Sequence, residues 1–340
     1  MLDQMQIAGS GQTARALWYE SAGKAVLSAA QLRTRGDDEL LVRTRWSAIS
    51  RGTERLIFEG RVPPAEYARM RAPFQEGDFP FPVKYGYCLT GLVEAGPPGW
   101  VGLEVFVLHP HEDRFVTPAA AAKPLPEGLP ARRATLAANM ETALNAIWDS
   151  GAGPGERIAV IGCGLVGLLV TYLCAQLPGA DVVCVDIDPG RAEIARSFGA
   201  SFLTPGAFAA SGDYGADVVF HTSASPPGLS LAIGSAGLEA RIIEMSWYGA
   251  GEVPVPLGGA FHSRRLQLIS SQVGHVSPGR RPRWDYGRRI SKAMELLLDP
   301  RLNALITDEF RFEELPEKLP AFLWQGAPGL AAVINYSQQE

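Results

Sequence analysis

Arg157-Ile-Ala-Val-Ile-Gly162-Cys-Gly164-Leu165-Val166-Gly167 is the stretch on which the fold turns. Arg157–Ile161 is apolar and β-branched enough for a buried strand, and Leu165–Leu177 reads as an apolar helix closed by Pro178-Gly179. A G-x-G-x-x-G thus lies between a strand and a helix. Gly162 permits the tight turn, Gly164 lets backbone approach a pyrophosphate, and Gly167 lets the helix lie close on the sheet with its N-terminal dipole toward the phosphates. Glycines recur by chance, so the bare pattern is weak. Its context is specific: Val182-Val-Cys-Val-Asp186 is a second strand ending in a carboxylate. A carboxylate there accepts hydrogen bonds from both ribose hydroxyls and repels a 2′-phosphate, so the sequence predicts NAD rather than NADP. The plainer alternative is a structural glycine turn with no nucleotide.

Outward from that core, Arg191–Phe198 reads as a helix, and Ala216–Thr222, Arg241–Ser246 and Leu266–Val273 as strands. Strands apolar throughout, alternating with helices, predict a parallel sheet buried on both faces. Ile158 to Leu177 carries no charge and imitates a membrane span, but three internal glycines fit strand–turn–helix better. Upstream, Arg15–Tyr19, Glu39–Trp46, Leu92–Ala95 and Val101–Leu108 read as short strands, proline-heavy Arg61–Pro82 as loop or short helix, and Ala131–Ser150 as a helix. Downstream come a helix from about Asp285 to Leu298 and the strand Gly329–Tyr336.

The 340 residues fit two domains or one inserted into another. With 46% hydrophobic and 20% charged residues the chain is globular, and a net charge of −5 argues against nucleic acid or anionic membranes as partners. Cys88, Cys163, Cys174 and Cys184 show neither disulfide-scaffold nor zinc-lobe spacing. Nothing in MLDQMQIAGSGQTARALWYE marks export, and a cytoplasmic location is expected.

Five segments, in order and spacing, resemble the medium-chain dehydrogenase/reductase superfamily of the alcohol-dehydrogenase type over essentially the whole chain. They are Trp46-Ser-Ala-Ile-Ser50-Arg51-Gly-Thr-Glu54, Tyr85-Gly86-Tyr87-Cys88-Leu-Thr-Gly91-Leu-Val-Glu-Ala-Gly96, Met140-Glu-Thr142-Ala-Leu-Asn-Ala-Ile, the glycine fingerprint, and Leu268-Ile-Ser-Ser-Gln-Val-Gly274. The resemblance implies an α/β fold: a Rossmann-type doubly wound parallel-sheet domain inserted into a β-rich GroES-like catalytic domain. Its divisions fall at 1–139, 140–275 (NAD-binding) and 276–340. It implies Leu165, Val166, Arg51, Ser246 and Ser271 as cofactor contacts beside the glycines and Asp186, with Thr142 against the nicotinamide and a homodimer built on cofactor-domain edges.

The departures matter more. The resemblance places zinc ligands at Ser50, Tyr87, Cys88 and about Ala138, and one thiol cannot make a tetrahedral site. No metal is therefore expected. The degraded site and the S-x-x-x-G-T-E stretch look most like bacteriochlorophyllide hydroxyethyl dehydrogenases, a partial likeness that transfers no substrate. In place of zinc, Tyr87 is the candidate proton handler, with its pKa lowered if Lys84 or oxidised nicotinamide lies near, and Ser50 the candidate partner of the substrate oxygen. Equally open, Tyr87 plugs the vacated volume and Ser50 is small filler. Cys88 reads as an inert buried thiol. Arg51 is a pyrophosphate cation or a surface arginine, and Glu54 an orienting group or an exposed carboxylate. His109-Pro-His111-Glu112-Asp113 reads as a solvated turn. Arg280, Arg281, Arg283, Arg288 and Arg289, with Trp284 and Tyr286, read as solvated charges at a helix start, or as the rim of a cleft for an anionic or aromatic small molecule.

The function expected is zinc-independent, NAD(H)-dependent hydride transfer between nicotinamide and a secondary alcohol or ketone. The rivals are a quinone or enone reductase, and a catalytically inactive dinucleotide-binding module.

Overall fold

A computed structural model describes residues 13–337; the start of the segment read for export lies outside them. The chain opens with β1 (Thr13–Ser21), β2 (Lys24–Gln31), β3 (Glu39–Ala48), α1 (Arg51–Phe58), β4 (Leu89–Ala95), β5 (Glu104–Val107) and β6 (Arg114–Pro118). Then follow α2 (Ala137–Ser150), β7 (Arg157–Ile161), α3 (Leu165–Cys174), β8 (Asp181–Val185), α4 (Ala192–Ser197), β9 (Ser201–Leu203), α5 (Pro205–Ala210) and β10 (Ala216–His221). The remainder is α6 (Pro226–Ser235), β11 (Ala236–Glu244), β12 (Gln267–Ser270), α7 (Tyr286–Leu296), β13 (Ile306–Arg311), α8 (Leu315–Leu323) and β14 (Ala331–Asn335). These elements form two units: one ends at Thr135 and resumes at Thr307, and the other is Leu136–Ile306.

In the discontinuous unit β1 pairs antiparallel with β2, and β3 antiparallel with β4, β6 and β14. β3 is flanked by β14 and β4 and also pairs with β6, because alternate residues Leu40 and Val42 face a core of Leu89, Val93, Val105, Val107 and Phe115. A smaller sheet joins β2, β1, Val83–Lys84 and Glu76–Gly77. This is the GroES-like part.

The continuous unit is a parallel sheet in the order β9-β8-β7-β10-β11-β12. It is the doubly wound Rossmann arrangement, with its reversal of strand order at β7 and β10. Ile158, Val160, Val182, Val183, Val218 and Val219 are all but fully buried, as strands covered on both faces must be. The charge-free stretch is β7, the glycine turn and α3. No helix among the described residues is long and apolar enough to cross a membrane.

One boundary differs from expectation. Residues 276–306 stay with the parallel-sheet unit, because α7 packs on α2 and buries Arg289. Its guanidinium donates to Glu141 at 2.9 Å, to Asn145 at 2.6 Å and to the Val273 carbonyl at 2.5 Å. Such a strut cannot be a solvated charge. Arg280 and Arg288 instead lie over Trp148 and Trp284, 5.6 and 4.1 Å from the ring centroids.

Candidate active site

The glycine turn is built as its sequence demands. Gly162 has φ +103°, and a Cβ there would come within 2.8 Å of Ser223 N. A Cβ on Gly167 would lie 1.9 Å from the Gly162 carbonyl, so helix and strand can approach only through glycine. Gly164 differs: a Cβ there meets no protein atom within 4 Å. Its bareness serves no internal packing, and close approach by a ligand is the physical reason left. Gly164 is also the N-cap of α3 and offers no side-chain cap, while Leu165 and Val166 form the half-buried first turn. Asp186, half-buried beyond β8, accepts from Cys163 N at 2.6 Å and from Asp188 N at 2.8 Å. Its carboxylate is therefore fixed beside the turn. Arg191, held by Asp188 at 3.1 Å, follows it and no motif singled it out. These residues fit a dinucleotide.

The other candidate site lies in the antiparallel unit. Ser50 is the N-cap of α1 but makes no side-chain cap bond. Its hydroxyl instead accepts from the Tyr87 phenol at 2.5 Å. Tyr87 is half-buried between Val83–Lys84 and β4, with Tyr85 edge-on at 6.0 Å. Burial pushes the phenol above its ordinary value, helped by Cys88, and the Ser50 and Thr53 hydroxyls only partly offset this. The expectation of a lowered Tyr87 is thereby corrected: Lys84 turns its ammonium to Glu76 at 2.5 Å and Glu112 at 3.0 Å.

Glu54 is buried rather than an exposed carboxylate. Fully buried, it accepts from Ser50 N at 2.7 Å with one oxygen, and with the other from Tyr19 at 2.7 Å and His111 Nε2 at 3.0 Å. Burial opposes its charge, yet His111, Tyr19 and the Ser50 N–H outweigh that and hold its carboxyl below the ordinary range. Ser47 and Tyr336 continue the network beyond His111 Nδ1. The His109–Glu112 turn, expected in solvent, is buried for the same reason: its side chains are partners of this network and of Lys84.

Zinc does not fit here. Of the positions the resemblance assigns to zinc, those in this unit hold two hydroxyls bonded to each other and a Cys88 thiol that burial keeps from ionising. No three His, Cys, Asp or Glu among the described residues could share a metal ion.

Other expected residues are engaged locally. Arg51 donates to the Gly329 carbonyl at 3.1 Å, to Trp324 at 3.2 Å and to Ala327, and lies over Phe322. Its fork grips the loop before β14 rather than standing ready for a pyrophosphate. Thr142 returns its proton to the Ala138 carbonyl one turn back, at 2.9 Å, and Ser271 donates to Asp149 at 2.7 Å. Ser246 accepts from Ala224 N at 3.0 Å, within a cluster around His221 and Glu244 that no motif announced.

No protein-family model matches the chain. It is 27% identical over 221 residues to an uncharacterised zinc-type alcohol dehydrogenase-like protein of Haemophilus influenzae, covering 58% of this chain and 57% of that one. A match to (R,R)-butanediol dehydrogenase of Bacillus subtilis is 28% identical over 137 residues, 38% and 40% of the two chains. An alcohol dehydrogenase from Escherichia coli CFT073, complexed with NADH, superposes with a TM-score of 0.75 at 18% identity, over 96% of this chain and 100% of that one. So does a Sinorhizobium meliloti 1021 protein described as a zinc-binding dehydrogenase and bound to NADP, at 0.75 and 16%, with the same coverage. The chain is thus similar in sequence to proteins of the alcohol-dehydrogenase type, and it shares the fold of the two solved dehydrogenases. The chain spans little more than half the length of the Haemophilus relative.

Proposed function

We propose that the chain is a zinc-independent, NAD(H)-linked oxidoreductase interconverting a small secondary alcohol and its ketone. The observation that carries this is the 2.5 Å hydrogen bond from Tyr87 to Ser50, formed where zinc donors would otherwise stand. When bound, the nicotinamide exchanges hydride with the substrate carbon. The backbone of the Gly162–Gly167 turn and the α3 N-terminus would hold its phosphates, and Asp186 would accept from the adenosine ribose. Ser50 Oγ donates to the substrate oxygen and passes its proton as the carbonyl becomes an alcohol. Tyr87, kept protonated at neutral pH by burial, replaces that proton and regains its own from water, so the net proton of ketone reduction comes from solvent. The reverse transfers serve oxidation. Glu54 fixes the Ser50 backbone so that the hydroxyl keeps its aim. Four buried cysteines, none of them in a disulfide, suit a reducing cytoplasm. The bacteriochlorophyllide likeness supplies no substrate.

The test is oxidation of NADH and NADPH by chelator-treated protein over a panel of ketones, quinones and enones. Tyr87→Phe should lower kcat by about 100-fold while leaving NADH affinity nearly unchanged. Activity lost to the chelator and restored by zinc would overturn the metal-free proposal. An undiminished kcat would return Tyr87 to packing. Preference for NADPH with quinones or enones would favour the reductase alternative, and NADH binding without turnover the inactive module.

A further inference from the structure

The C-terminal ends of β10 and β11 carry a serine–histidine–glutamate relay. His221, the last residue of β10, is fully buried; its Nδ1 lies 2.7 Å from Glu244 Oε2, and its Nε2 2.7 Å from Ser223 Oγ. The other Glu244 oxygen accepts from Ser246 N at 2.7 Å, and Tyr248 donates to Oε2 at 3.3 Å. Burial opposes the Glu244 charge, but His221 and Ser246 outweigh it and hold the carboxyl below its ordinary range. A carboxylate can only accept, so the imidazole proton sits on Nδ1. In the neutral ring Nε2 is then an acceptor, Ser223 must donate to it, and the Ser223 lone pairs face outward.

The arrangement has space made for it. A Cβ on Gly228 would lie 2.3 Å from Ser223 Oγ and 2.9 Å from His221 Nε2, so only glycine on α6 leaves the bond intact. Ser223 itself is exposed, and its backbone abuts Gly162 of the fingerprint turn. Sheet order sets what would lie over it. Asp186 follows β8 on one side of β7, and β10 lies on the other. A dinucleotide with its pyrophosphate on the β7 turn and its adenosine ribose on Asp186 carries its second nucleoside over β10.

We infer that the Ser223–His221–Glu244 relay fixes the Ser223 hydroxyl as a hydrogen-bond acceptor for a hydroxyl of the nicotinamide-side ribose. Serine here reads a sugar rather than a phosphate oxygen, which could not donate to it. The inference rests on the dinucleotide proposal above, and its test separates the two. NADH, ADP-ribose and ADP are titrated against the full chain; ADP lacks the second ribose. Ser223→Ala and His221→Gln should weaken NADH and ADP-ribose by about 3- to 10-fold, the scale of one neutral hydrogen bond, and leave ADP unchanged. Ser223→Thr should restore affinity, and Gly228→Ala should reproduce the loss. Equal weakening of all three ligands, or none in Ser223→Ala, would overturn the relay. A wild-type chain that bound none of the three would instead overturn the dinucleotide reading beneath it.

Discussion

His109 stacks on Phe115 with ring centroids 3.7 Å apart and has Phe74 at 5.4 Å on its other side. Burial first, then the nearby Lys84 and His111, depress its pKa from 6.5 to about 3, although the Pro110 carbonyl works the other way. The unfolded chain therefore takes up this proton before the folded one does. The stability concerned is whole above about pH 6.5 and declines by about 1.4 kcal/mol per pH unit as the pH falls toward 3. Glu54, depressed among carboxylates, adds a loss of the same sign below about pH 4.5. Urea unfolding at pH 7 and pH 5.5 should show a smaller loss for His109→Phe than for wild type. Equal losses would mean that His109 titrates normally in the fold. The buried state of His109-Pro-His-Glu-Asp was illegible because the stacking rings come from distant positions. Ser50 and Tyr87 were legible through their place in motifs, but their mutual bond was not. His221 and Glu244 lie on separate strands, and only the sheet brings them together.

Two glycines three residues apart separate packing from ligand approach at the scale of elements. Gly167→Ala would force a methyl against the Gly162 carbonyl and within 2.7 Å of Thr222 Oγ1, driving α3 off β7. The cost should be about 1–3 kcal/mol, seen as a lower unfolding temperature. Gly164→Ala meets no protein atom, and its φ of −69° suits alanine. It should unfold with wild type yet bind NADH more weakly. Unchanged NADH affinity in Gly164→Ala would remove the ligand argument, and full stability in Gly167→Ala the packing one. The apolar strands β7, β8 and β10 were readable because burial on both faces leaves a short hydrophobic run. Proline concealed two helices. Pro226-Pro227 opens α6 at the positions that need no N–H partner, and Pro316 does so in α8, so residues that look like breakers are starters.

Across the whole molecule, the order of motifs conveyed both halves of the fold, since a strand–turn–helix fingerprint after a β-rich start constrains the topology. The second crossing, at Ile306–Thr307, was hidden because α7 joins its unit through contacts with distant α2, including buried Arg289, which chain order does not show. We further propose a homodimer through β12. This strand ends the parallel sheet and leaves Gln267, Leu268 and Ser270 exposed on an edge that no other strand among the described residues pairs with. Sedimentation velocity should give a two-chain species for wild type, shifted to one chain by Leu268→Asp. A monomeric wild type would overturn it.

The join between β14 and β3 bears on synthesis. Val333 sits opposite Ala48, Ile334 opposite Ser47 and Asn335 opposite Trp46, so the last strand completes one of the first. On the ribosome, residues 157–270 emerge with every strand their parallel sheet requires. Residues 46–48 must meanwhile keep a bare backbone flank until residues 333–335 have been made. A nascent chain halted after the parallel sheet would carry that flank unshielded, a template for aggregation that chaperones would have to mask.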